Sequence, residues 1–237
     1  MNKILLILRN ELMQFFTGLS AYIFFIVFIA INSWFFAMPL FINNNANLNS
    51  FFMTSQLLLI IFIPVITMNL LPKERQLGTI EILHTIPLKI YQIIFGKFLA
   101  GLVIIIFAIL PSIIYLITIA NIGINVDYGI IFCGYLSLIL TSAVYCAIGI
   151  FSGSFSPNQI ISFIISFIII LFFYLLDNIM IFLPASITTF LQYISITWQN
   201  SNLIKGVVDS RVLVYFISLI FVFLWFSMII MNRKRSD

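Results

Sequence analysis

Charge is what this chain has least of. Only 8% of its 237 residues are Asp, Glu, Lys or Arg, where a soluble domain carries about a quarter. So little charge cannot coat a water-facing globule, which leaves lipid as the main solvent. Histidine occurs once, as His84. A metal site or a Ser-His pair would need partners at membrane depth, and His84 falls in a polar loop instead. Cys133 and Cys146 share one apolar run and lack CxxC spacing. They are too far apart along a helix to bridge, so both are expected as buried, unreactive thiols. No Gly-x4-Gly-Lys-Ser/Thr stretch occurs. Gly96-Lys97 is followed by Phe98 and has no upstream glycine, so it cannot cradle phosphates. The chain is therefore expected to hydrolyse no ATP, to be no enzyme and to need no cofactor. Its basic residues form no stripe, which argues against a nucleic-acid partner. No small-residue cleavage site follows the first apolar part, so no removable signal peptide is expected.

What is present is grease, at 63% of residues. A helix rising about 1.5 Å per residue needs roughly 20 apolar residues to cross about 30 Å of hydrocarbon. The runs are long and unbroken rather than alternating, which selects helices over a β-barrel. Six spans are expected: about Leu19–Ile42, Phe51–Leu71 with Pro64 as a kink, Ile93–Ala120 with Pro111 inside, Tyr128–Phe151, Ile160–Leu176 and Val212–Met231. Residues 2–17 are different. At 100° per residue, Asn2, Lys3, Arg9, Asn10, Glu11, Gln14 and Thr17 fall mostly on one half, and Ile4, Leu5, Leu8, Leu12, Phe15 and Phe16 on the other. That is an amphipathic helix suited to the membrane surface.

The segment 177–211 is moderately apolar, broken by Pro184 and rich in Ser, Thr, Gln and Asn. A seventh span there would put Arg233, Lys234 and Arg235 outside. With six spans these join Lys3, Arg9, Lys73, Arg75, Lys89 and Lys97 on the cytoplasmic side, and only Lys205 and Arg211 stay out. The positive-inside rule favours six. Residues 177–211 are then an outer re-entrant or interfacial hairpin, and both termini are cytoplasmic. Asp177 is expected at the outer interface in a structural role. Asp209 and Arg211 would form a weak surface pair. Ser152, Gly153, Ser154, Ser162 and Ser166 are small enough to let helices approach closely. The fold class expected is all-α integral membrane, as one domain over 1–237.

One polar interruption, Pro72 to Lys97, is patterned. A solvated loop obeying the positive-inside rule explains Lys73, Arg75, Lys89 and Lys97. It does not explain Gly78 to Ile86, where Ile80, Ile82, Leu83 and Ile86 cluster opposite Glu81, His84 and Thr85. Pro87 stops this two-turn amphipathic helix. A helix so short needs a surface or a partner groove to hold it. An interaction surface is the favoured reading of His84.

The stretch "KERQLGTIEILHTIPLKIYQIIFGKFLA" resembles the cytoplasmic loop of type-2 ATP-binding cassette (ABC) permeases, through Glu74, Arg75, Gly78, Thr79, Glu81, Pro87, Gly96 and Lys97. The C-terminal "LQYISITWQNSNLIKGVVDSRVLVYFISLIFVF" is similar to the gliding-motility-type branch. His84 departs from the small or hydrophobic residues common there. The resemblance implies a six-helix subunit that works as a homodimer or heterodimer, in a bacterial cytoplasmic membrane, as the permease of an exporter. It implies a short coupling helix seated in a cleft of a separate cytoplasmic ABC ATPase subunit. Glu74, Arg75, Gly78, Thr79, Glu81, His84 and Thr85 would touch that subunit, with the charges fixing register. Two other classes compete. An ATP-independent transporter or scaffold would show broken helices and midplane charge, and no span shows a clear midplane charge. An intramembrane enzyme would need a catalytic histidine or carboxylate pair at depth, and none is placed there.

Overall fold

The computed structural model describes residues 3–42, 48–76, 89–123, 126–182 and 184–236. All regular structure among them is helical. An amphipathic helix α1 (Lys3–Thr17) leads into α2 (Leu19–Ile42). Helix α3 (Asn49–Thr67) runs through Pro64 and ends in a turn that passes into the short α4 (Pro72–Gln76). Helix α5 (Ile90–Ile109) continues through one 3-10 turn, Leu110–Ser112, into α6 (Ile113–Ile122). Then follow α7 (Tyr128–Phe155) and α8 (Gln159–Ile179). The short α9 (Ala185–Ile194) and α10 (Ile196–Ile204) precede the last helix, α11 (Ser210–Ser236).

Six of these stretches are long and apolar enough to cross a membrane, as the apolar runs require. Pro111 has a visible effect. It lies in the 3-10 turn that joins α5 to α6, because proline cannot donate to the preceding turn of an α-helix. The combined stretch Ile90–Ile122 has 33 residues, about 50 Å of helix, so it must tilt or project from a bilayer about 30 Å thick.

Helix α7 is the centre. It packs against α3, α5, α8, α10 and α11, and most of its residues from Ile131 to Ser154 are buried. Small residues permit this. A Cβ at Gly149 would collide with Thr67, and one at Gly153 would lie 2.9 Å from Pro72 Cδ. The end of α3 and the start of α4 therefore lie directly on the α7 backbone. The serines expected as packing residues meet in pairs: Ser152 and Ser162 hydroxyls stand 3.1 Å apart, and Ser154 bonds Ser227 of α11. Cys133 and Cys146 are buried free thiols.

Helix α8 shows which solvent the fold is built for. Ile160, Ile164, Ile168 and Phe172 are exposed, while Ser162, Ser166 and Ile170 are buried. Both sets recur every four residues, so each makes one helix face. Bulky apolar groups point out and small hydroxyls point in, the reverse of a water-soluble helix, because hydrocarbon solvates Ile and Phe and hydroxyls find partners only inside.

The segment 177–211 is a pair of short helices, α9 and α10, not a span. Asn200 of α10 is buried against α7, where its Nδ2 donates to Thr141 Oγ1 at 2.6 Å and its Oδ1 accepts from Ser137 Oγ at 2.7 Å. Ser137 is nine residues into α7, about 14 Å along it. Helix α10 thus reaches well down the bundle, as a re-entrant element must. The Asp209–Arg211 contact runs through backbone: the Arg211 amide donates to Asp209 Oδ1 at 2.9 Å.

Candidate functional site

The end of the bundle where α1, α4 and the start of α5 meet holds the ion pairs found among the described residues. Lys97 lies in the second turn of α5 with its side chain 1% exposed. Its ammonium donates to Glu11 Oε1 of α1 and to the Leu70 carbonyl at 2.7 Å. Glu74 Oε2 of α4 stands 2.7 Å away, off hydrogen-bonding direction, so that contact is ionic. One cation thus ties three elements together. Buried ions need such pairing, since each loses its water.

Two carboxylates face one ammonium, and the surplus negative charge has a consequence. Burial lifts the Glu11 carboxyl above the ordinary carboxylate range, an effect that the Lys97 ammonium opposes and the Glu74 charge reinforces. A proton held by the carboxylates would make the cluster neutral.

This geometry corrects two expectations. Lys97 is not a solvated loop charge. Glu11 is not on a water-facing half of α1: it is 7% exposed and turned to α5, while Leu5, Leu6 and Met13 are exposed. The neighbouring Gly96 explains how α1 can come so near. A Cβ there would stand 2.9 Å from Ile7 Cβ and Cγ2, so a side chain would lift α1 and pull Glu11 from Lys97. Aromatic contacts pin the other end of α1 to α2, with Phe16 stacked on Phe25 at 5.8 Å and Phe15 edge-on to Phe24 at 6.2 Å.

Arg75 makes a second tie. Its Nη1 donates to the carbonyls of Gly153 at 3.2 Å and Ser154 at 2.6 Å. These carbonyls belong to the last turn of α7, where helix groups lack intrahelical partners and the helix dipole favours a cation. On the far side of the loop, the Lys89 backbone amide donates to Gln92 Oε1 at 3.1 Å, capping α5.

Of the residues expected to contact an ATPase subunit, Glu74 and Arg75 are thus held by partners in the bundle. Gly78, Thr79, Glu81, His84 and Thr85 lie outside the described residues, as does the expected coupling helix. The described chain ends at Gln76 in the anchored α4 and resumes at Lys89 beside the capped start of α5. Sequence reasoning missed the roles of Glu11 and Lys97. A signal existed, because Glu11 sits between Leu8 and Phe15 at helical spacing, on the face that packs.

This arrangement of six lipid-solvated spans, a surface helix and an anchored α4 defines a polytopic membrane protein, with no catalytic cluster at that end among the described residues. The chain matches the ABC-2 family transporter protein family over residues 5–234, nearly its whole length, and belongs to that family. It is thus a membrane component of the ABC transporter type, a class that generally works with a cytoplasmic ATPase subunit. The chain matches no curated protein.

Proposed function

We propose that the chain is the permease subunit of an ABC exporter of the gliding-motility-type branch, moved by a separate cytoplasmic ATPase through the loop 72–97. It is read as one domain over 1–237, in a bacterial cytoplasmic membrane, with both termini and the ion triad on the cytoplasmic side. The subunit pairs with itself or with a second permease.

The observation that supports this most is the fastening of the loop. Arg75 and Glu74 hold its start to α7 and α5, and α5, capped by the Lys89–Gln92 bond, begins at its end. A push on 77–88 would then be passed to α7 and α5. Glu81, His84, Gly78, Thr79 and Thr85 are the contacts left to an ATPase cleft, while Glu74 and Arg75 would act behind them.

Co-purification with the ABC ATPase encoded nearest to this chain tests the reading. Vanadate-sensitive hydrolysis should depend on Glu81, and Glu81→Lys should weaken association without loss of folding. A chain that purifies alone and changes no ATPase would favour an ATP-independent transporter or scaffold.

A further inference from the structure

At the end of the bundle away from the ion triad, α3, α7, α8 and α10 part around a cavity of about 550 Å³, within the size range of small-molecule sites. Among the polar groups that border it, three do not satisfy one another. Gln56 is 7% exposed, and its Nε2 donates to Ser137 Oγ at 3.1 Å. Its Oε1 has no hydrogen-bond partner among the described residues. An acceptor with no protein partner on a cavity wall is open to a donor from outside. Asp177 and Lys205 border the same space, and neither side chain has an ion-pair partner among the described residues. Opposite charges that share a cavity and do not pair are complementary to a molecule bearing both.

The remaining lining is mixed: Asn49, Tyr174, Thr197 and Ser201 are polar, while Met53, Ile130 and Ile204 supply an apolar strip. Met53 is itself exposed on α3, which gives an apolar chain a way out to lipid. Gln56 is held in place from behind by the seam through Ser137, Asn200 and Thr141, so it needs little ordering on binding.

We propose that this cavity binds the head group of a zwitterionic amphiphile. Asp177 takes its ammonium, Lys205 its phosphate or carboxylate, and Gln56 Oε1 accepts from a head-group N–H or O–H. The proposal goes beyond the permease reading and does not depend on it.

The test uses the full chain in dodecyl maltoside, without any ATPase, so its failure would leave the permease reading untouched. Binding of lysophosphatidylethanolamine, of lysophosphatidylglycerol with the same chain, and of free phosphoethanolamine is titrated by native mass spectrometry. The ethanolamine lysolipid should bind about tenfold tighter than the glycerol one, because only it offers Asp177 a cationic donor, whereas glycerol offers a neutral hydroxyl. Asp177→Asn should erase that preference, and Lys205→Gln should weaken both lysolipids. Measurable binding of free phosphoethanolamine would assign the site to soluble zwitterions as well, and binding of the lysolipid alone would assign it to lipid. Equal affinity of the wild type for the two lysolipids would overturn the proposal whatever the variants do.

Discussion

Lys97 and Glu11 stand 86 positions apart in sequence and share a buried hydrogen bond, their side chains 1% and 8% exposed. The contact joins a surface helix to a membrane span, and Glu74 completes it from a third element. Removing a member of a buried charge cluster costs more than never having had it, because the partners are left unpaired. Lys97→Met, which leaves two carboxylates facing, should destabilise the chain by about 3–5 kcal/mol. For a chain of this length that is a fall in apparent Tm of about 10 °C. Adding Glu11→Gln and Glu74→Gln to Lys97→Met should recover most of the loss. A single Lys97→Met variant melting with the wild type would show that the triad holds nothing together.

Acidity should act on the same cluster. Folding raises the Glu11 carboxyl, so the folded chain keeps that proton at a pH where the unfolded chain has released it. Where the folded state binds more protons, stability falls as pH rises. This contribution is full near and below the ordinary carboxylate range and is lost upward through the raised value. The Tm of the wild type relative to Glu11→Gln should therefore improve as pH falls toward the ordinary carboxylate range. A Tm difference that stays flat as pH falls would mean Glu11 does not titrate between the two states.

Arg75 offers a test of force transmission rather than stability. It is half-buried and its partners are backbone carbonyls, so Arg75→Ala should fold and melt within a few degrees of wild type. Given the proposed ATPase partner, substrate-stimulated ATP hydrolysis should fall at least about threefold, since the start of the loop is no longer tied to α7. Arg75→Lys should recover part of it, because one ammonium can meet a carbonyl but lacks the guanidinium's planar fork. Full stimulation in Arg75→Ala would separate this tie from coupling.

The spans were legible because each depends on a local sum: enough apolar residues in a row. The start of α2 at Leu19 and of α7 at Tyr128 coincide with the positions expected from that sum. The ion triad was not legible, because it depends on a meeting of three distant segments. Lys97 alone at the head of a span looks like a topology signal, and Glu11 alone looks like part of a polar face. Only the close approach allowed by Gly96 turns the pair inward. The small residues of α7 fell between these cases. Their size announces close packing, but nothing in sequence names Thr67 and Pro72 as what packs there.

The hydrogen-bonded seam between α10 and α7 also bears on how the chain is made. Helix α10, with Thr197, Gln199, Asn200, Ser201 and Asn202, is too polar to enter lipid as a segment of its own. Its place is created by Ser137 and Thr141, which already sit in the bilayer with α7. Biogenesis must therefore have two stages: spans inserted one after another, then a late folding step inside the membrane that slots α10 in.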